Sequence, residues 1–453
     1  MEPFSTMALP ERVTIHPGAA LTGAPHLPGA KYPAVRALLL AALGDGPSRV
    51  AGLPPSDDTR VALEALARLG VPLRWLDAET LLVTGGAGHW PAATIGHPVT
   101  LDVGNAGAVM RLLLGVCAMV PTIHFTTSHM ASLGQRPNAD LLQALSQLGV
   151  AVEARQPGGL LPITLHGGGI HGGLVRISGA RSSQYLSALL LLGPLLGEAC
   201  EIAVTDEVRS AGFVRLTLAM LSSVGITVAH GPDLRHFRIA SPQAYQAHDW
   251  QLPRDFPTAA TWLAAGAVAG GTLHLAGLPA ETEDGGAILA ALHAFGADVS
   301  VTPGAETGQI AVEIRGGTTL RGAEIDGEPC IDSVPVLAAL ACSAVGTTTF
   351  RNVGNLRLKE SNRIDDLCAE LCRAGADARP GPESITIQGR PNGIAGGVTT
   401  DAHHDHRLAM ALAIVALRAK APISITGATH VAKSYPAFWS ELARLGATVE
   451  GLG

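Results

Sequence analysis

The stretch Arg351–Leu367 holds residue types that could bind an anion and move a proton. Lys359, Glu360 and Arg363 lie within five residues of one another, just ahead of an apolar helical pattern. We predict that Ser361 or Asn362 caps this helix, with two aspartates in its first turn. Helix N–H groups and two nearby cations favour an anion, and a carboxylate beside a bound anion is placed for proton transfer. The alternative is a charged turn in solvent.

Similar polar or cationic loops come just before other apolar helices. They are residues 27–36, 104–111, 181–185 and 403–407, joined by the isolated pieces 135–137 and 433–436. Each alone could be a tight turn, a helix cap or a surface lysine, and His403, His404, His406 and Asp405 could instead bind a metal. Together they present several helix N-termini near Lys or Arg. Such an arrangement would hold a ligand that carries two or more negative groups.

Composition limits the class of protein and the kind of site. Of 453 residues, only 15 % are charged and 47 % are hydrophobic, and the net charge is −7. An acidic chain argues against general binding of nucleic acid, so an anion site must be a local basic cleft. The N-terminus lacks a signal-peptide pattern, and the longest apolar run, Leu186–Leu196, is too short and interrupted to span a membrane. We interpret the six cysteines as reduced thiols of a cytoplasmic protein.

The elements that position these loops follow an internal repeat. Six times an apolar helical pattern ends in glycine and precedes a short strand pattern, at intervals of 71 to 79 residues. These glycines are Gly70, Gly149, Gly225, Gly296, Gly375 and Gly446. Repetition at near-constant spacing predicts two domains of three units each, with the chain crossing between them near Gly29 and Trp250–Asp255. A cleft between two such domains is the default ligand site.

We also predict individual helices and strands in these repeats. Predicted helices are 34–43, 108–119, 183–192, 258–267, 333–344 and 407–419. Predicted strands are 163–165, 174–177, 272–275, 310–314, 347–350 and 423–425.

The motifs occur in an order that resembles one family. LPGAK, GNAGAVMR, QRP, RSSQYLSALL, CIDSVP, NLRLKESNRI, HDHRLAMA and VAKSYPAFW follow one another between Pro28 and Leu445. The chain resembles the 5-enolpyruvylshikimate-3-phosphate (EPSP) synthases, which are enolpyruvyl transferases. The resemblance implies an α/β (α+β) fold of two similar domains, each with three βαβαββ units in an inside-out α/β barrel and with the active site in the interdomain cleft. It implies one domain from residues 1–28 plus 254–453 and another from 29–253.

The resemblance also implies a reaction and its residues. The enolpyruvyl group of phosphoenolpyruvate would pass to the 5-hydroxyl of shikimate 3-phosphate, with release of phosphate through a tetrahedral intermediate. A cytoplasmic monomer with no metal or organic cofactor is implied. The implied catalytic residues are Lys31, Asp332, Glu360 and Lys433. Phosphoenolpyruvate would contact Lys31, Asn105, Gly107, Arg136, Gln184, Arg363, Arg407 and Lys433. Shikimate 3-phosphate would contact Lys31, Tyr32, Arg36, Ser182, Ser183, Gln184, Ser210, Asp332, Asn355 and Lys359.

Several positions depart from the family pattern. Tyr32 and Val35 stand where Ser and Asn are usual, Phe213 replaces a ring-stacking Tyr, and Asn362 replaces an Asp. Tyr32 leaves open a paralogous transferase with a different hydroxyl acceptor. The sister family that uses UDP-N-acetylglucosamine ranks lower, since its usual Cys is missing from HMASLGQRP. Gly107 leaves room where the herbicide glyphosate binds in the family.

Overall fold

The computed structural model describes residues 9–92 and 97–452. Residues 1–8, part of the segment examined for a signal peptide, lie outside the described residues. Two compact units account for the chain. The first unit spans residues 30–252, and the second combines residues 9–29 with 253–452. Each unit has its own buried apolar cluster. No helix in the described ranges has the length and apolar character needed to cross a membrane.

Helices alternate between two kinds along the chain. The helices are α1 (Lys31–Leu43), α2 (Asp57–Arg68), α3 (Gly107–Val116), α4 (Ala139–Gln147), α5 (Ser183–Leu192), α6 (Ala211–Ser223), α7 (Phe256–Val268), α8 (Glu283–Ala294), α9 (Val334–Ala341), α10 (Arg363–Arg373), α11 (His406–Leu417) and α12 (Phe438–Arg444). Odd-numbered helices are buried almost throughout, as their uniformly apolar Ala- and Leu-rich sequences require. Even-numbered helices keep an exposed face, so each lies at the outside of its unit.

The strands form six open sheets in the described residues, three in each unit. In the first unit the strands are β2 (Pro47–Ala51), β3 (Leu73–Trp75), β4 (Thr80–Thr84), β5 (Val99–Asp102), β6 (Ile123–Thr126), β7 (Ala151–Arg155), β8 (Leu160–His166), β9 (Gly173–Ile177), β10 (Cys200–Val204), β11 (Ala229–His230), β12 (His236–Ile239) and β13 (Trp250–Gln251). In the second unit they are β1 (Arg12–Ile15), β14 (Thr272–Pro279), β15 (Asp298–Pro303), β16 (Gln309–Arg315), β17 (Glu324–Asp326), β18 (Thr347–Arg351), β19 (Asp377–Pro380), β20 (Ile385–Gln388), β21 (Thr399–Asp401), β22 (Ile423–Thr426) and β23 (Val449–Glu450).

Five of the six sheets in the described residues share one topology, and the β14–β16–β15 sheet lacks the parallel strand. In the second repeat, β5 and β6 pair in parallel across α3, and β8 pairs antiparallel with both β6 and β7. This order is βαβαββ, and it confirms the predicted repeat. The chain closes two sheets with distant strands: β13 pairs with β2, and β1 pairs with both β22 and β23.

The six repeated glycines confirm the predicted helix ends. Each follows an even-numbered helix and has a positive φ, from 71° at Gly296 to 121° at Gly446. A left-handed residue after the last helical turn is the usual role of glycine, because it has no Cβ to clash. The six predicted helices and six predicted strands are also confirmed, with ends that shift by a few residues. The expectation of a ligand cleft between the two domains stays a prediction.

Candidate active site

The helix predicted from the charged stretch is α10, and Asn362 is its N-cap. The Asn362 side chain accepts a hydrogen bond from the Asp365 backbone N–H at 3.3 Å. Lys359 and Glu360 lie on the loop before the helix, as predicted, and Arg363 is its first residue. The preceding 3-10 turn, Gly354–Leu358, carries the predicted ligand Asn355 in a partly buried position. The local sequence therefore places the predicted cations and carboxylate at a helix start.

Arg363 is the centre of a buried charge network in the second unit. Its guanidinium contacts Asp405 twice, at 2.6 Å and 3.1 Å, and also donates to Asp332 Oδ1 at 3.0 Å and Glu360 Oε2 at 2.7 Å. The Arg363 side chain is 2 % exposed. Burial acts to lower the pKa of Arg363, but attraction by the three carboxylates outweighs it and raises the pKa. Arg363 therefore stays charged and holds the carboxylates in place.

Two lysines extend this network. Lys359 Nζ lies 3.2 Å from Asp332 Oδ1, the same oxygen that Arg363 contacts. Lys433 Nζ lies 3.6 Å from Glu360 Oε1. Burial lowers the pKa of Lys359. Attraction by Asp332 partly offsets this lowering, and repulsion by Arg363 adds to it. The predicted acid and base, Glu360 and Asp332, are thus each held by two cations.

Arg407 adds a buried hydrogen-bond donor to the second unit. It is 1 % exposed at the start of α11, and its Nη1 donates to the Pro257 carbonyl at 3.1 Å. Its Nε is buried and has no hydrogen-bond partner among the described residues. A buried donor without a partner is costly, and a ligand oxygen would remove that cost. Asp405 caps this helix by accepting a hydrogen bond from the Arg407 backbone N–H. The same carboxylate therefore binds Arg363 and caps α11.

The three histidines beside Asp405 do not converge on a metal position. His403 Nε2 lies 3.1 Å from Glu370 Oε1, whereas His404 Nδ1 lies 3.0 Å from His430 Nε2. In the described part of the chain, no group of three or more His, Cys, Asp or Glu residues could hold a metal ion. The histidine loop instead leads into the Asp405 cap.

The first unit collects a second set of predicted residues at helix starts. Lys31 begins α1, is 7 % exposed and lies 3.4 Å from Asp58 Oδ2 at the start of α2. Its Nζ also lies 4.9 Å from the centre of the Tyr32 ring. Tyr32 in turn packs on Phe213, with ring centres 4.4 Å apart. The Tyr32 ring therefore lies against the predicted site residue Lys31 and is not turned away from it.

Gly107 and Arg136 meet at the start of α3. A Cβ on Gly107 would lie 2.5 Å from Arg136 Nη1, so only glycine permits this approach. Asn105, two residues earlier, accepts a hydrogen bond from Ser132 at 3.1 Å. These contacts join the loops 104–107 and 132–136 into one surface with an arginine over a helix N-terminus. Such a surface suits a phosphate or a carboxylate.

Arg111 is a functional candidate that the sequence reasoning left out of the site. It is buried, and it donates to Gln184 Oε1 at 2.9 Å, to Asn138 Oδ1 at 3.1 Å and to the Pro137 carbonyl at 3.2 Å. Arg111 thereby orients the predicted ligand Gln184. Its place in GNAGAVMR was visible, but its partners lie 26 to 73 residues away.

The remaining predicted residues of the first unit lie at the starts of α5 and α6. Ser182 caps α5 by accepting from the Gln184 N–H at 3.3 Å, and Ser183 is buried as the first helical residue. Ser210 occupies the N-cap position of α6 with a left-handed φ of 54° and makes no capping hydrogen bond with its side chain. Arg36 is buried within α1 among neutral oxygens. Direct contacts thus join Asp332, Lys359, Glu360, Arg363 and Lys433 in the second unit, whereas in the first unit they join separate pairs such as Gly107 and Arg136.

Comparison with known proteins identifies the family of this chain. Residues 15–442 match the model of the family described as EPSP synthase (3-phosphoshikimate 1-carboxyvinyltransferase). The 3-phosphoshikimate 1-carboxyvinyltransferase of Deinococcus radiodurans is 39 % identical over 97 % of this chain and 96 % of its own length. An EPSP synthase structure from Acinetobacter baumannii aligns with a TM-score of 0.80 and 27 % identity, over 97 % of this chain and 99 % of the other. The enolpyruvyl transferase NikO from Streptomyces tendae shares the fold, with a TM-score of 0.76 and 21 % identity over 97 % and 98 % of the two chains. The chain belongs to the EPSP synthase (3-phosphoshikimate 1-carboxyvinyltransferase) family.

Proposed function

We propose that the protein transfers the enolpyruvyl group from phosphoenolpyruvate to the 5-hydroxyl of shikimate 3-phosphate and releases phosphate. The observation that carries this function is the network in which Arg363 holds Asp332 and Glu360 beside Lys359 and Lys433. It combines two carboxylates for proton transfer with cations for anionic substrates. Membership of the family supports the same reaction and does not favour the other acceptors considered from Tyr32.

The proposed reaction has two steps with matched proton transfers. Asp332 accepts the proton of the 5-hydroxyl while the hydroxyl oxygen bonds to C2 of phosphoenolpyruvate, and Glu360 gives a proton to C3. The tetrahedral intermediate then loses a proton from C3 to Glu360, and the bond between C2 and the phosphate oxygen breaks. Lys31 stabilises the charge on the departing phosphate. The hydroxyl proton held by Asp332 leaves to solvent or phosphate, so the catalyst is restored.

We assign the substrates to residues of both units. Phosphoenolpyruvate contacts Lys31, Asn105, Gly107, Arg136, Gln184, Arg363, Arg407 and Lys433. Shikimate 3-phosphate contacts Lys31, Tyr32, Arg36, Ser182, Ser183, Gln184, Ser210, Asp332, Asn355 and Lys359. The buried Nε of Arg407 and the Gly107–Arg136 contact support the first set. The Lys359–Asp332 pair supports the second, because a cation for the phosphate and a base for the hydroxyl lie side by side. The cytoplasmic location and the monomeric state stay predictions.

A substrate-dependent assay of phosphate release tests the proposed function. We expect release only when phosphoenolpyruvate and shikimate 3-phosphate are both present, together with one enolpyruvyl ether product per phosphate. Reactions with either substrate alone, with unphosphorylated shikimate or with UDP-N-acetylglucosamine serve as controls. Phosphate release with another acceptor, and none with shikimate 3-phosphate, would refute the assignment.

The substitution Gly107→Ala is expected to raise the KM for phosphoenolpyruvate by about tenfold or more, the value of one lost charge-assisted hydrogen bond. The new Cβ would lie 2.5 Å from Arg136 Nη1 and 3.1 Å from its Cζ, so the guanidinium must move. Steady-state kinetics with phosphoenolpyruvate as the varied substrate measure the effect. Gly286→Ala, in the open first turns of α8, is the matched control, because nothing lies within 4 Å of its added Cβ. An unchanged KM in Gly107→Ala would contradict the role of Arg136.

We expect binding of shikimate 3-phosphate to weaken as the pH rises, and the weakening to begin at a pH below the ordinary pKa of lysine. Burial lowers the pKa of Lys359 below its ordinary value of 10.5. Its ammonium therefore loses its proton, and with it the charge that binds the phosphate, at a lower pH than an exposed lysine would. Calorimetric dissociation constants between about pH 7 and 10 check this. In Lys359→Arg the loss should move to higher pH, since arginine stays charged. The same pH profile in both proteins would exclude Lys359 as its cause.

A further inference from the structure

Two histidine side chains from separate segments of the second unit meet at their ring nitrogens. His404 Nδ1 lies 3.0 Å from His430 Nε2, and the rings are nearly perpendicular, with centres 4.9 Å apart. His404 is exposed and His430 is partly buried, so the pair lies at the surface. A hydrogen bond between two neutral imidazoles joins one protonated nitrogen to one bare nitrogen. Two potential metal-ligand atoms are therefore side by side.

The backbone on both sides holds the two rings close together. His403 and His404 form a turn in which both have positive φ, 50° and 57°, a conformation that is uncommon for residues other than glycine. The His403 ring is fixed separately, because its Nε2 lies 3.1 Å from Glu370 Oε1. A Cβ on Gly427 would lie 3.2 Å from His430 Cδ2, so the backbone passes close against that ring. The approach of His404 to His430 is thus set by tertiary packing.

The distance between the two nitrogens fits neighbouring ligands of one metal ion. Imidazole nitrogens bind zinc at about 2.0–2.1 Å, so two nitrogens 3.0 Å apart enclose an angle of about 95° at the metal. This angle is close to the 90° between neighbouring ligands in a tetragonal Cu²⁺ or Ni²⁺ site. A tetrahedral zinc site needs the nitrogens about 0.3 Å further apart. Because His404 is exposed, its ring has room to turn its nitrogen toward a shared ion.

We propose that His404 and His430 bind one first-row divalent metal ion, Ni²⁺, Cu²⁺ or Zn²⁺, with water in the remaining coordination positions. This site is independent of the proposed reaction and serves none of its steps. On binding, the proton of the donor ring moves to the other nitrogen of that ring, so both ligand nitrogens are bare and the imidazoles stay neutral. Imidazole selects these ions over Mg²⁺ and Ca²⁺, which prefer oxygen ligands. With two protein ligands the ion is exchangeable.

The ion would join two segments that carry residues of the candidate active site. His404 directly precedes Asp405, which caps α11 and binds Arg363. His430 lies in the 3-10 turn Ala428–Lys433. A metal that binds the folded chain at both segments stabilises that fold, so the melting temperature should rise with the concentration of the ion.

Calorimetric titration of the untagged protein with NiCl₂, without substrates, tests the site. We expect the wild type to bind Ni²⁺ at least about tenfold more tightly than His404→Asn or His430→Asn, since even loss of a contact that supports a metal ligand costs that much. Asparagine tolerates the left-handed backbone at residue 404. At a Ni²⁺ concentration of about 100 times the dissociation constant, the wild type should melt about 2 °C higher or more. MgCl₂ should give neither effect.

His274→Asn is the matched control for the other histidines of the chain. His274 is also exposed and has one side-chain partner, Glu313 Oε2 at 2.9 Å. We expect this variant to bind Ni²⁺ within about twofold of the wild type, as exposed substitutions away from a site usually do. Equal Ni²⁺ affinity in the wild type, His404→Asn and His430→Asn would assign the ion to other histidines and overturn the proposal. An equal loss in His274→Asn would overturn it as well. Both variants at the pair are measured, so a folding defect in one leaves the other to decide.

Discussion

Asp332→Asn is expected to lower kcat by about 10²–10⁴-fold, the usual contribution of a general base. Asparagine keeps the shape of the side chain and can still accept from Arg363 and Lys359, but it cannot take the proton of the attacking hydroxyl. Because Asp332 Oδ1 lies 3.2 Å from Lys359 and 3.0 Å from Arg363, the carboxylate has a fixed orientation in the wild type. Single-turnover kinetics with both substrates at saturation measure the chemical step directly.

The matched control for this prediction is Asp326→Asn. Asp326 lies on the neighbouring strand β17, is exposed, and accepts from the Glu328 N–H at 3.1 Å. We expect it to leave kcat within about twofold, as exposed substitutions away from a site usually do. Shikimate 3-phosphate should still bind to Asp332→Asn, because the cations for its phosphate remain. Wild-type turnover in Asp332→Asn would remove it from the mechanism, whatever its effect on binding.

Arg363→Met is expected to lower the free energy of unfolding by about 3–5 kcal/mol, the cost of leaving buried charges without their partner. The substitution would remove the arginine partner of Asp405 and leave Asp332 and Glu360 with one lysine each; the three side chains are 0 %, 6 % and 9 % exposed. It also removes the contact that ties Asp405, the N-cap of α11, to the first residue of α10. Urea denaturation followed by far-UV circular dichroism measures the loss.

Arg379→Met is the matched control for stability. Arg379 also pairs with a carboxylate, Asp377, but its side chain is 76 % exposed. We expect a loss of no more than about 1 kcal/mol, since exposed ion pairs contribute little. If Arg363→Met were no more destabilising than Arg379→Met, the network would be a binding surface without a structural role. The comparison thereby tests burial, because the substitution is the same.

Local signals explain what the sequence predicted well. Three features depend only on residues within one or two turns: the Asn362 cap, the left-handed glycines and the apolar helices. Their patterns can therefore be recognised in the sequence. Burial of the odd-numbered helices likewise follows from their uniform apolar composition. Ordered motifs then predicted the family and the repeat.

Long-range contacts explain what the sequence could not predict. Arg363 reaches Asp332 across 31 residues and Asp405 across 42. Asp58 reads as an ordinary acid in the first turn of a helix, yet it lies beside Lys31. The hydrogen bonds that Arg36 donates to four protein oxygens are equally invisible in the sequence, because three of those oxygens lie on α5 and α6.

The position of β1 has a consequence for how the chain is made. β1 holds residues 12–15, yet its partners are β22 and β23 at residues 423–426 and 449–450. During translation the first strand therefore leaves the ribosome long before either neighbour exists. Its Val13 and Ile15, which are buried in the folded protein, stay unpaired in the sheet until then. The strands of residues 30–252 meet their sheet partners earlier. Nascent chains halted before residue 423 should accordingly contain a folded first unit and a second unit that still lacks β22 and β23.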